Sequence, residues 1–160
     1  MNIKTQEELD ALPKIIYEDA FIDSIECIVI PKGRLFSCLF VKNKSIVKNY
    51  SGSYIIAVDQ SSVTSSAGTL RTKDYSTNVC LKYAIGVARD KSSMLALDNS
   101  KVEAYDESII SAGDAATVVA NGSSTVTAGG LRTDTVRIYI HSKSSHITAL
   151  NNTKISYHYI

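Results

Sequence analysis

The sequence predicts an all-β fold: a parallel β-solenoid (β-helix) of eight-residue repeats with a short N-terminal helix/strand cap. Three observations carry this expectation. Met94, Val102, Ile110, Val118 and Val126 are each eight residues apart. Alanine stands two residues after each, at Ala96, Ala104, Ala112, Ala120 and Ala128. Four residues after each comes a turn former, Asp98, Asp106, Asp114, Gly122 or Gly130, and Ser100, Ser108, Ala116 and Ser124 follow in phase. Side chains two apart point to one face of a strand. Asp, Asn and Gly make turns through side-chain hydrogen bonds or tolerance of positive φ. Each octad therefore reads as a short strand plus a corner, and stacked coils put like residues over like at about 4.8 Å. The helical spacings of three, four and seven are missing.

Taken in order, Thr5-x-x-Glu8 is a capping-box pattern that opens a short helix carrying Leu9 and Leu12, and Pro13 stops it. Strand-like alternation runs from Ile15 to Ile30 and ends at Pro31-Lys32-Gly33. Residues 1–33 are read as the N-terminal cap and 34–160 as the solenoid, within one domain. The octad frame then holds at Leu39, Val47, Ile55 and Val63, and Ala57, Asp59 and Ser61 fill the next slots of one repeat. Parallel strands are expected through 39–65 and 86–128. Whether two or three octads complete a turn stays open. Two stretches, near 66–85 and 129–146, break the frame and are read as inserted loops. They begin alike, Ala67-Gly68-Thr69-Leu70-Arg71-Thr72 and Ala128-Gly129-Gly130-Leu131-Arg132-Thr133. They also end alike, at Lys91-Ser92-Ser93 and Lys143-Ser144-Ser145, which suggests an internal duplication. The frame returns at Ile147, Ala149 and Ile155. Tyr157, Tyr159 and Ile160 then make an apolar terminal edge, expected to be buried in a homodimer.

The segment from Met94 to Gly130 resembles the octapeptide-repeat tracts of the type S-x-x-V-x-A-x-D found in phage and bacterial proteins, mostly of unknown function. The resemblance implies a β-solenoid and a bacterial or phage setting inside the host cell. It implies no catalytic residues.

Composition narrows the function. With 17 basic and 16 acidic residues, the net charge of +1 argues against a strongly basic nucleic-acid binder. The polar, acidic start has no apolar core of a signal peptide, and no apolar run is long enough to span a membrane. Three cysteines, an odd count without metal-ligand spacing, fit a reduced, cytoplasmic state.

The leading site candidates are Arg71, Thr72 and Lys73 with Arg132, Thr133 and Lys143. Arg beside Thr after a glycine corner suits a phosphate or carboxylate, and both arginines are expected to be exposed on one side of the coil. The file Asp90, Asp98, Asp106 and Asp114 offers one carboxylate per octad, poor for calcium, which needs six to eight oxygens; bonding within its own turn is the simpler reading. His141, His146 and His158 have no partner pattern for zinc. No serine lies in a G-x-S-x-G setting. The expectation is a non-enzymatic protein without cofactor that presents the two Gly-x-Leu-Arg-Thr loops to a protein partner, such as a phage-encoded inhibitor of a host enzyme or defence complex. The alternatives are sequestration of a small anion such as a nucleotide, and a structural or glycan-adhesive module.

Overall fold

The computed structural model describes residues 1–129 and 135–150, together with the backbone of 155–159. Its unit is the octad, most often a four-residue strand followed by a four-residue turn. One ladder is a ten-stranded parallel sheet. Its strands, in stacking order, are β1 (Asn2–Ile3), β3 (Ala20–Ile22), β6 (Leu39–Val41), β8 (Tyr54–Ala57), β10 (Thr69–Thr72), β12 (Ile85–Ala88), β14 (Lys101–Ala104), β16 (Thr117–Ala120), β18 (Val136–Ile140) and β20 (Ile155–Tyr159). The other ladder has eight strands: β4 (Cys27–Ile30), β7 (Ile46–Asn49), β9 (Ser62–Ser65), β11 (Thr77–Cys80), β13 (Ser93–Ala96), β15 (Ile109–Ala112), β17 (Thr125–Ala128) and β19 (His146–Ala149). A small third side, β2 (Ile15–Ile16) with β5 (Leu35–Phe36), widens the first turns. The chain alternates between the two ladders, so two octads complete a turn. Lys101 pairs with Thr117, and Ile109 with Thr125, sixteen residues on. The result is a β-solenoid of about eight turns.

The alternating pattern puts every second side chain inside. Val102, Ala104, Ile110, Ala112, Val118 and Ala120, all expected inward, are at most 2 % exposed. Stacked alanines on both ladders let the walls approach closely. One inward file runs Leu39, Ile55, Leu70, Gly86, Val102, Val118 in register. At Gly86 the file loses its side chain, and Met94 of the same turn fills the space: a Cβ on Gly86 would stand 2.4 Å from the Met94 sulfur.

The recurring corner is a turn closed by a hydrogen bond from its fourth residue to its first, as Ser108 N–H to the Tyr105 carbonyl (3.1 Å). Its second residue is left-handed: φ is 58° at Asp74, 56° at Asp90, 57° at Asp98, 56° at Asp106 and 53° at Asp114. Short polar side chains tolerate that region better than other L-residues. The carboxylate does not bond its own turn, as expected from sequence, but the turn one coil earlier. Asp106 Oδ2 accepts from the Asp90 N–H (3.2 Å), Asp90 Oδ2 from Asp74 N–H (3.4 Å), and Asp98 Oδ2 from Lys82 N–H (3.0 Å). The aspartate file is thus a ladder that ties successive corners together.

The structure corrects three readings. First, residues 66–85 hold no inserted loop. β10 and β11 continue both ladders, and the only irregularity is one missing residue: Tyr54 pairs with Thr69, and Ser62 with Thr77, fifteen residues on. Second, the ladder begins inside the segment read as a cap, because β1, β3 and β4 already pair with coils above them. The cap proper is α1 (Gln6–Asp10), whose N-cap Thr5 accepts from Glu8 N–H and whose Leu9 is fully buried. Third, the first Gly-x-Leu-Arg-Thr piece is strand, not loop. Near 129–146 the chain does lengthen. Thr117 pairs with Arg137 twenty residues on, and Thr125 with His146 twenty-one on; residues 130–134 lie outside the described residues.

Where the wide first turns give way to sixteen-residue turns, the interior becomes polar. Asn49, fully buried, donates through Nδ2 to Ser65 Oγ (2.9 Å) and the Ala67 carbonyl (3.2 Å), and its Oδ1 accepts from Ser51 N–H (3.0 Å). Ser53 Oγ accepts from Phe36 N–H (3.0 Å), serving an amide of the third side just where that side ends. Buried backbone groups need such partners.

Candidate functional site

Arg71 is the outward residue between two inward ones, Leu70 and Thr72, on β10. Register places it between Ile56 of β8 and Val87 of β12. Its guanidinium lies 5.9 Å from the Tyr54 ring centroid, a cation–π arrangement. The side chain is therefore laid down on the sheet and half-buried, not substantially exposed as the sequence suggests. Its Nε is out of contact with water and has no hydrogen-bond acceptor among the described residues.

The surroundings distinguish this arginine. One coil further on, Arg89 stacks at 4.7 Å on Tyr105 of the coil after it, and the Tyr105 hydroxyl donates to Glu103 Oε2 at 2.9 Å. That hydrogen bond, with a smaller part from burial, raises the Tyr105 hydroxyl above its ordinary range. Lys91 approaches Glu107 at 3.8 Å. Arg71 has apolar and hydroxyl neighbours instead, and no ion pair among the described residues.

The other predicted site residues scatter. Thr72 is not a surface ligand: it fills an inward slot, fully buried, with Oγ1 3.0 Å from Ser92 Oγ and 3.4 Å from the Val87 carbonyl. Lys73 is exposed at the corner after β10, and Lys143 is exposed at the corner after β18. β10 and β18 are four strands apart in the sheet, so the two corners stand about 19 Å from one another at the usual strand spacing. No small anion bridges that distance. Arg132 and Thr133 lie outside the described residues. So does Ile160, and of Tyr157 and Tyr159 only the backbone is described, paired with Ile138 and Ile140 of β18.

Among the described residues no group of three or more His, Cys, Asp or Glu is placed to hold a metal ion. His141, in the corner after β18, and His146, at the start of β19, are exposed. Burial pushes the Cys80 thiol up to about 12, which leaves it a poor nucleophile. No described helix is long and apolar enough to cross a membrane. The sequence pointed to Arg71 through its glycine corner but missed Tyr54, Ile56 and Val87. Only the fifteen- and sixteen-residue turn lengths bring those side chains around it. No protein-family model, curated protein or solved structure matches the chain.

Proposed function

We propose that this chain is a non-enzymatic binding protein whose ten-stranded sheet docks a protein partner through Arg71 and its apolar surround. One observation carries the reading: a guanidinium already partly desolvated on Tyr54, between Ile56 and Val87, with an Nε that lacks an acceptor. A carboxylate on the partner gives the guanidinium the ion pair it lacks among the described residues, and the planar fork takes it in two-point geometry once the side chain lifts from Tyr54. Arg and Tyr set among apolar residues are also the side chains enriched where protein interfaces concentrate their energy. In the setting implied by the octapeptide resemblance, the partner is a bacterial enzyme or defence complex that the chain inhibits.

The test is a comparative capture from bacterial lysate with wild-type, Arg71→Ala and Arg71→Lys baits. The expected result is a protein retained by wild type, lost with Arg71→Ala and weakened with Arg71→Lys, while the melting temperature stays the same. Equal capture by all three baits overturns the reading. Heat stabilisation of wild type by nucleotides, abolished by Arg71→Ala, favours a small anionic ligand instead.

A further inference from the structure

The chain leaves the eight-stranded ladder through a file of stacked corners opened by Pro31, Tyr50, Ser66 and Leu81. Tyr50 N–H donates to the Ile30 carbonyl, Ser66 N–H to that of Asn49 and Leu81 N–H to that of Ser65. Corners 50–53 and 81–84 have four residues, but corner 66–68 between them has three. The missing residue draws that corner in. Gly68 permits this: its φ is 78°, and a Cβ there would stand 2.5 Å from the Ser53 carbonyl oxygen. Over the short corner lies a recess of about 530 Å³, with Ser66 and Ala67 at its centre, Tyr50 and Lys32 on one side and Lys82 on the other. No acidic residue lines it. Lys48, outward on β7 in register with Val29 of the lining, adds a third ammonium group at the margin. None of the three lysines pairs with a carboxylate among the described residues. Asp98, which accepts from the Lys82 backbone N–H at 3.0 Å, belongs to the next coil, away from the recess.

We infer that this recess binds a phosphate monoester carried on a ring, as in a nucleotide or a sugar phosphate. Lys32 and Lys82 stand three corners apart, about 14 Å at the usual strand spacing. Their ammonium groups therefore do not crowd one another, and an anion placed over Ser66 takes both. Lysine binds phosphate as a point charge from a flexible stem, and the Ser66 hydroxyl donates to a remaining phosphoryl oxygen. A bare anion leaves Tyr50 unused. That side chain is 49 % exposed at the edge of the recess and offers an apolar ring with a polar tip, suited to a base or a sugar. The volume lies within the range of about 300–1,000 Å³ usual for small-molecule sites. A second recess, of about 640 Å³ in the other file of corners, is lined by Asp23, Asp59 and Lys44. Two carboxylates against one ammonium group give it the wrong sign for such a ligand. The site lies on a corner, apart from the outward face of the ten-stranded sheet that carries Arg71, and does not depend on the partner reading of that face.

Isothermal titration calorimetry of the full chain with adenosine monophosphate, a hexose phosphate and inorganic phosphate tests this. At least one of the two ring phosphates is expected to bind at least about tenfold more tightly than inorganic phosphate. Tighter binding of the nucleotide assigns a base to Tyr50, and tighter binding of the hexose phosphate assigns a sugar. Lys82→Asn keeps a residue that tolerates the φ of 56° at that position. It and Lys32→Gln are each expected to weaken binding about tenfold, and Tyr50→Ser is expected to remove the preference over inorganic phosphate. Lys44→Gln, in the second recess, is expected to bind as wild type does. Two lysine variants at separate corners keep the test decisive should one fail to fold. No binding of either ring phosphate at millimolar concentration overturns the inference, as does binding that survives both lysine substitutions. Inorganic phosphate bound as tightly as the ring phosphates also overturns it. So does equal weakening by Lys44→Gln, which marks a diffuse response to charge instead of a site.

Discussion

Gly86 and Met94 sit in inward slots of one turn, where neighbouring turns carry Val102 with Ile110 and Val118 with Val126. The large residue is simply divided differently: none at one wall, an extended thioether from the other. A valine at Gly86 alone collides with Met94, since even its Cβ would stand 2.4 Å from the sulfur and 3.0 Å from Cys80 Sγ. Gly86→Val is expected to destabilise by about 1–3 kcal/mol through overpacking. Met94→Val leaves a void and is expected to cost about 1–2 kcal/mol. The double variant restores the division used by other turns, so its cost is expected to fall at least about 1 kcal/mol short of the sum. Urea unfolding of the four proteins measures this, and strict additivity refutes the compensation. The same inward–outward logic decides how much of the candidate site was legible. Arg71 was legible as a surface residue because it is long and charged. Thr72 was not legible as core, because a threonine after an arginine in a glycine-led stretch looks like ligand chemistry. Only the strand assignment, Leu70 in, Arg71 out, Thr72 in, shows that it replaces an alanine of the inward file.

At the scale of the element, the turn explains why aspartate recurs. Its second position has positive φ, costly for most L-residues, and the carboxylate meets a backbone N–H of the preceding coil. Asp90 does both, with φ of 56° and its Oδ2 accepting from Asp74 N–H. Asp90→Asn keeps an acceptor and tolerates the backbone, so it is expected to lie within about 0.5 kcal/mol of wild type. Asp90→Gly loses only the hydrogen bond, about 1 kcal/mol. Asp90→Ala loses the bond and strains the turn, about 2–3 kcal/mol in all. Thermal unfolding ranks the series, and an alanine no worse than the glycine removes the backbone part of the account. The octad was legible from sequence because strand and turn each demand a residue type. The coil from Leu70 to Cys80 was not, for a physical reason. Its inward slots hold Leu70, Thr72, Asn78 and Cys80, and the one-residue deletion beside Gly68 shifts the phase. Asn78 is tolerated inside because its Oδ1 accepts from Val63 N–H at 2.9 Å and its Nδ2 donates to Ser76 Oγ at 3.0 Å. A frame searched at a fixed period reads such a coil as an insertion, whereas the sheet requires only that each inward polar group find a partner.

For the molecule as a whole, a solenoid is a stack whose growth has to be stopped, because each terminal strand offers a row of unpaired donors and acceptors. At the N-terminal end of the eight-stranded sheet the terminal strand is β4, and one side chain stands where another strand would pair. The Gln6 carboxamide accepts from Val29 N–H through Oε1 at 2.7 Å and donates from Nε2 to the Val29 carbonyl at 3.1 Å. The helix that carries it is held down by buried Leu9 and by the Arg34 guanidinium, which donates to the Leu9 carbonyl. At the other end of the same sheet, Ile147 and Ala149 of β19 occupy inward slots yet remain partly or fully exposed among the described residues. The β4 edge of one copy and the β19 edge of another are therefore complementary, and their joining is a head-to-tail contact that does not close on itself. On the β4 edge, the Gln6 carboxamide already occupies the pairing groups of Val29. Gln6→Ala is expected to lower stability by about 1–3 kcal/mol, since two backbone groups lose their partners. It is also expected to produce concentration-dependent assemblies larger than those of wild type, with a spacing of about 4.8 Å along their long axis. Gln6→Glu keeps the acceptor for Val29 N–H but sets a carboxylate against the Val29 carbonyl, and should destabilise without completing a docking edge. Light scattering over a concentration series, with fibre diffraction of whatever forms, measures both effects. If Gln6→Ala loses stability but keeps the wild-type size, the carboxamide only anchors α1, and the apolar cover supplied by Leu9 is what ends the stack.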